Sequence, residues 1–195
     1  MSEKNRARIV MVCGGSGTGK SAWVKQQIAG ARRCLVWDIT GEYARHGFEP
    51  VTSAARLIEA LEQSAARLAY IPASLKHFDF FCRAAFAWGR CVVVVEELAD
   101  VTTPGKAPTG WGMVVRRGRH QSLTVYGITQ RPAESDKTII GNATLTHCCK
   151  LKRAPDRVYM AREMGCALAL LDALKPLEWV EADEFGRVRR GKMRF

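Results

Sequence analysis

Short apolar runs alternate with amphipathic segments along most of the chain. This alternation predicts an α/β fold with a central, mostly parallel sheet flanked by helices. Residues 9–12 form a buried-strand run that passes directly into a glycine-rich segment, after which a helix is expected from near Gly19 to about Ala29. Residues 34–37 read as a second strand ending at Asp38. Over residues 52–67, Leu57, Ile58, Leu61 and Ala65 share one helical face, with Thr52 or Ser53 as the N-cap. Residues 68–71 predict a short strand stopped by Pro72, and residues 77–88 an aromatic-rich helix. The most apolar strand is 91–95, with Glu96 and Glu97 at its end. Two prolines and three glycines make 100–112 a flexible excursion, with the end of a helix at 113–119. A strand at 123–128 follows and runs into Thr129, Gln130, Arg131 and Pro132. Beyond it a helix is expected at 156–164, then strands at 178–180 and 187–190 around a turn at Phe185 and Gly186. No repeat, long linker or low-complexity segment interrupts the pattern. Residues 1–195 read as one domain, with about 175–195 a basic C-terminal strand or hairpin appendage.

Composition narrows the class. At 195 residues and 47% hydrophobic content the chain can bury one sizeable core. Thirty Lys and Arg against nineteen Asp and Glu give a net charge of +11, which favours a polyanionic partner, nucleic acid first. The seven cysteines are scattered without a CxxC pair, and the four histidines lack metal-ligand spacing; reduced, mostly buried thiols are expected. The polar start does not read as a signal peptide, and no apolar run approaches the ~20 residues that span a bilayer. The expectation is a cytosolic protein that is not integral to a membrane.

Candidate chemistry begins with Gly14, Gly15, Ser16, Gly17, Thr18, Gly19, Lys20 and Ser21, which fit G-x-x-x-x-G-K-[ST] at every fixed position. Glycines let successive backbone N–H groups turn toward phosphates, and the following helix directs its positive end at the same anion. Lys20 is expected to reach the β- and γ-phosphates of ATP, and the Ser21 hydroxyl to bind Mg²⁺. Four valines followed by Glu96 and Glu97 resemble the acidic second motif of P-loop ATPases. Glu96 is assigned to Mg²⁺ or its water and Glu97 to the attacking water, although the extra methylene of Glu96, where Asp is usual, leaves that division open. Gln130, at a strand end, suits sensing the γ-phosphate or holding the water.

The order GGSGTGKS, VWDITGEY at 36–43, VVVVEE and GRHQSLTVYGITQRP at 118–132 resembles the FtsK–HerA family of DNA-pumping ATPases. At this length the chain looks most like the genome-packaging ATPases of small membrane-containing double-stranded DNA phages, of tectivirus or corticovirus type. The resemblance implies a RecA-like P-loop fold and a homo-oligomeric ring, a hexamer, with ATP between subunits. It also implies double-stranded DNA as a partner gripped by its backbone, and contacts with capsid vertex or portal proteins. The expected location is the host cytoplasm or the packaging vertex of the virion. Arg119 matches the family's Gly-Arg position and is the choice for an arginine finger supplied in trans, with Arg116, Arg117 and Arg131 as rivals. Glu42 is read as structural, and Asp38 as either a loop cap or a nucleotide contact.

The loop with Lys106 and Trp111 is expected to face the pore of the ring, and backbone-gripping DNA contacts are expected from Lys106, from Arg116 and Arg117, and from Arg189 and Arg190 in the tail. A solvated, weakly ordered tail is the alternative there. Two other functions share the phosphate loop: a phage assembly or secretion ATPase of zonula-occludens-toxin type, and a small-molecule or nucleotide kinase. The absence of an Asn-Lys-x-Asp segment argues against a guanine-nucleotide switch.

Overall fold

Buried on both faces, the strands need apolar side chains at nearly every position, and the short Val-, Ile- and Leu-rich runs supply them. The computed structural model describes residues 8–194. Among them the strands are β1 (Arg8–Cys13), β2 (Arg33–Trp37), β3 (Glu49–Val51), β4 (Ala66–Tyr70), β5 (Val92–Val95), β6 (Thr124–Thr129), β7 (Leu145–Cys149), β8 (Glu178–Asp183) and β9 (Val188–Lys192). The helices are α1 (Lys20–Gln27), α2 (Ala54–Leu61), α3 (Phe78–Trp88), α4 (Leu98–Val101), α5 (Thr109–Arg117), α6 (Lys137–Asn142), α7 (Ala154–Glu163) and α8 (Leu168–Asp172).

The strands form one sheet in the order β3-β4-β2-β5-β6-β1-β7-β8-β9. From β3 to β7 every pairing is parallel, and β8 and β9 add antiparallel at the far side. The fold is α/β of the P-loop type. Inserting β6 between β1 and β5 separates the glycine loop from the acidic pair by the width of one strand, the RecA-like arrangement. Alternation along the strands divides the core. Met11, Leu35, Trp37 and Val93 pack on one face against α3, α5, α7 and α8. Val10, Val12, Val36 and Val94 pack on the other against Trp23, Val24, Tyr43 and Phe48.

Several expectations required correction. The helix anticipated over 52–67 ends at Leu61, and Arg67 already lies in β4. Ser53 is its cap, accepting from the Arg56 N–H at 3.3 Å. Strand β7 was not anticipated, because Leu-Thr-His-Cys-Cys carries neither a long apolar run nor alternation. The short β3, α6 and α8 were missed as well. Residues 178–192 form the β8–β9 hairpin, which continues the central sheet and buries Val180 and Ala182.

The largest correction concerns 100–112. Its end is the first turn of α5, and Trp111 is fully buried with its indole N–H donating to Asp136 Oδ2 at 2.9 Å. It therefore faces the core, and the pore-facing role expected for it is withdrawn. Gly110 permits close packing rather than flexibility. A Cβ on Gly110 would stand 2.7 Å from the Asp79 carbonyl oxygen, so α5 approaches α3 only without one. Lys106 remains exposed in the shortened loop.

Trp111→Phe should keep most of the packing but strand the buried Asp136 oxygen, lowering stability by about 1–3 kcal/mol. Trp111→Ala should lower it by about 3–5 kcal/mol. Urea denaturation of the two variants checks both the size and the order.

Candidate active site

At Cys13 the chain leaves the sheet and turns through residues 14–19 before α1 begins at Lys20. The turn is pinned on both sides: the Gly14 N–H donates to Thr129 O at 3.3 Å, and the Gly15 N–H to Lys150 O at 2.8 Å. Gly14 packs closely enough that a Cβ would stand 2.6 Å from Cys149 Cβ and 2.8 Å from Thr18 Oγ1. Gly19 enters α1 at φ 103°, a left-handed conformation open to glycine, and the first amides of the helix keep no intrahelical partner. The Lys20 ammonium folds back over the loop and donates to Gly15 O at 2.8 Å, beside the Thr18 hydroxyl at 2.7 Å. Burial lowers the Lys20 pKa, opposed by the charge of Glu97 and other neighbours. A bound triphosphate would favour its charged form.

Across one strand, β5 carries Glu96 and Glu97 to the same edge of the sheet. Glu96 is buried; its Oε1 accepts from the Tyr43 hydroxyl at 2.7 Å and its Oε2 from Ser21 Oγ at 3.4 Å. Burial raises its pKa, and the hydroxyls of Tyr43 and Ser21 oppose the rise. Glu97 sits at φ 49°, uncommon for a residue with a side chain, at the junction where β5 gives way to α4. Its Oε1 accepts from Gln130 Nε2 at 2.7 Å. Lys20, Ser21, Glu96, Glu97 and Gln130 thus line one cavity of about 330 Å³. A larger hollow, about 710 Å³, opens on the other side of the loop between Gly15, Leu151, Arg157, Leu171 and Pro176. The sequence pattern did not reveal this wall, since its residues follow the unanticipated β7 and carry no motif.

Ser21 Oγ and Glu96 Oε2 form a pair of hard oxygen donors. Among the described residues no group of three or more His, Cys, Asp and Glu could hold a metal ion. The pair suits Mg²⁺, which takes one or two protein oxygens and completes its shell from phosphate and water.

Other candidates fall in different places. Asp38 is fully buried and caps its own loop: Oδ1 accepts from Thr40 Oγ1 and the Glu42 N–H, and Oδ2 from the Tyr43 N–H at 2.9 Å. Glu42 is exposed and pairs with Lys25 at 3.7 Å. Arg119 is exposed in the turn before β6, at the edge of the sheet opposite the phosphate loop. Arg116 and Arg117 are exposed at the end of α5 on that same side. Arg131 follows β6 and pairs with Glu134, which Arg153 also holds. Arg189 and Arg190 project from β9 and pair with Glu181 and Glu178, each at 2.7 Å. No helix among the described residues is long and apolar enough to cross a membrane.

Beneath the loop, His147 of β7 is fully buried and stacks on Trp23 of α1, with ring centroids 4.0 Å apart. Its Nδ1 pairs with Glu181 Oε1 at 2.8 Å, and burial lowers its pKa.

No family model matches the chain. Protein P9 of Pseudoalteromonas phage PM2 is 35% identical over 151 residues, which are 74% of this chain and 69% of that protein. Among solved structures, the genome packaging NTPase B204 of Sulfolobus turreted icosahedral virus 2, in complex with ATP-gammaS, superposes with a TM-score of 0.83. It is 16% identical, and the match covers 96% of this chain and 98% of that one. VirB4 of Thermoanaerobacter pseudethanolicus gives a TM-score of 0.67 at 11% identity, covering 100% of this chain and 92% of that one. At these identities the structural likeness is one of fold.

Gly14→Ala should abolish nucleotide binding measured by isothermal titration, because the added methyl displaces either Cys149 or the Thr18 hydroxyl. A pH effect follows from His147. The folded state holds the neutral ring, whereas the unfolded chain takes up a proton below about pH 6.5. The histidine's contribution is therefore complete above that pH and declines as pH falls toward the lower folded-state value. Thermal unfolding from about pH 8 to about pH 5 should show this decline, and His147→Gln should flatten it.

Proposed function

The chain belongs to the family of Protein P9 of Pseudoalteromonas phage PM2, and from that premise we propose that it is an ATP-hydrolysing motor that packages double-stranded DNA into a preformed viral capsid. The observation that carries the ATPase half is the convergence of Lys20, Ser21, Glu96, Glu97 and Gln130 on one cavity. The packaging half draws support from the relative in phage PM2 and from the fold shared with B204.

In this reading the triphosphate lies along the loop with Lys20 against its terminal phosphates, and the nucleoside extends into the larger hollow. Ser21 and Glu96 would hold Mg²⁺, which would supply positive charge to neutralise the phosphates. Glu97 takes a proton from water as the water oxygen attacks the γ-phosphorus, and the bond to the ADP oxygen breaks. The Gln130 amide, already bonded to Glu97, orients that carboxylate and the water it activates. A carboxylate paired with an amide suits water better than an acceptor hydroxyl, which favours hydrolysis over a kinase reaction.

Arg119 cannot serve the nucleotide of its own chain. β6 has six residues between Arg119's turn and Gln130, a span of ~20 Å at ~3.3 Å per residue. We assign it to the neighbouring subunit's nucleotide, which requires a head-to-tail ring, taken here as a hexamer. Lys106, Arg116, Arg117, Arg189 and Arg190 are assigned to the DNA backbone. The motor works in the host cytoplasm at the packaging vertex, against capsid or portal proteins.

Glu97→Gln should lower turnover by about 10²–10⁴ while preserving ATP binding. Long duplex DNA should stimulate the wild-type ATPase, and the stimulation should fall steeply as salt rises. The absence of duplex stimulation in assembled rings would refute the packaging assignment and leave the ATP site standing. Mixing Arg119→Ala with Lys20→Ala subunits should restore turnover above either variant alone, since some interfaces then combine an intact loop with an intact arginine.

A further inference from the structure

The segment Asp38–Ile–Thr–Gly–Glu–Tyr43 stands out in the sequence, yet the ATPase reading gives its tyrosine no task. Tyr43 is 1% exposed and lies across the cavity from the phosphate loop. A buried tyrosine hydroxyl needs a partner, and main-chain carbonyls commonly provide it. Here the partner is the Glu96 carboxylate: the hydroxyl donates to Oε1 at 2.7 Å, leaving Oε2 toward Ser21. The contact is aimed by its own surroundings. Asp38 takes the Tyr43 N–H on Oδ2 and the Glu42 N–H on Oδ1, so the main chain is clamped at the start of the ring. Phe48 packs edge-on at 5.3 Å, and the Lys25 ammonium lies 4.9 Å from the ring centroid. The Asp38 clamp directs the hydroxyl at one carboxylate oxygen.

We propose that Tyr43 is the positioning residue that orients Glu96 toward a phosphate-bound divalent cation. A glutamate has one more rotatable bond than an aspartate at this position, and its carboxylate needs an added constraint to present one defined oxygen. The Tyr43 hydroxyl supplies it, occupying Oε1 so that Oε2 faces the Ser21 hydroxyl. Partners of this kind behind a metal-ligating group commonly govern metal affinity by 10–100-fold.

The inference rests on the ATPase reading, and the experiment separates the two. Binding of a fluorescent ATP analogue is measured by titration in EDTA and then across a Mg²⁺ series, for wild type and for Tyr43→Phe, Glu96→Gln and Phe48→Leu. Tyr43→Phe should bind the metal-free analogue as wild type does. It should need about tenfold more Mg²⁺ for the same enhancement, with the Mg²⁺ for half-maximal turnover rising in parallel. Phe48→Leu, which thins the packing beside the ring but keeps the hydroxyl and the Asp38 clamp, should leave the Mg²⁺ midpoint unchanged. An unchanged midpoint in Tyr43→Phe, with Glu96→Gln displaced, overturns the role of Tyr43 and spares the metal assignment. Glu96→Gln without effect overturns the metal assignment and this inference together. An equal shift in Phe48→Leu, or loss of metal-free binding in Tyr43→Phe, shows that the residue acts through packing and also overturns the proposal.

Discussion

Parallel pairing of β5, β6 and β1 in one register is the constraint on which the site depends. Val95 stands beside Gly127, and Gly127 beside Met11, so β5 ends two residues before β6 and β1, whose last pair is Thr129 with Cys13. Glu96 and Glu97, Gln130 and the phosphate loop are the first residues beyond the ends of these three strands, at one edge of the sheet. A slip of one residue in a parallel pair would turn the Glu96 side chain to the other face and separate it from Ser21. Gly127 shows how closely this stretch of the sheet is covered, since a Cβ there would stand 2.3 Å from Ile139 Cδ1 and 3.2 Å from Leu98 Cδ2. The Ile139 side chain occupies the space that a Cβ at this position of β6 would take.

The same edge holds its charges in tension. Lys20 and Glu96 are both buried, and burial pushes each toward its neutral form. A triphosphate favours the charged lysine, and a divalent cation favours the charged glutamate. The two ligands therefore reinforce each other's effect on the protein, and neither charge is well stabilised alone. Hydrogen bonds already in place from Tyr43 and Gln130 orient the carboxylates, so binding requires little rearrangement of the acidic pair.

The excess positive charge is unevenly used. Arg56, Arg83, Arg131, Arg153, Arg157, Arg162, Arg189 and Arg190 each pair with a carboxylate. Around the opposite edge, where the parallel strands begin, Arg33 and Arg67 donate to main-chain carbonyls and meet the partial negative charge at the ends of α1 and α3. Arg32, Arg90, Arg116, Arg117 and Arg119 are exposed on this side, and none forms a salt bridge among the described residues. The molecule is polar in this sense: a phosphate-binding edge with carboxylates faces one way, and an edge of uncompensated arginines the other.

What the sequence determined by itself was whatever local spacing encodes. The glycine loop, the valine run with its two glutamates and the Gln130 strand end were legible because each needs only its own neighbours to form. The α/β class followed from alternating runs, whose burial on both faces leaves a strong compositional trace. Trp111 was misread because glycines flanking an aromatic signal flexibility in sequence, whereas here Gly110 serves the contact between α3 and α5, which a linear pattern does not contain. β7 was missed because a five-residue strand containing His147 and two cysteines has no periodicity of its own; its identity comes from pairing with β1 and β8. The partnership of Tyr43 with Glu96 joins residues 53 positions apart. Only the tertiary fold decided such contacts, because a hydrogen bond between distant segments depends on the register and packing of everything between them.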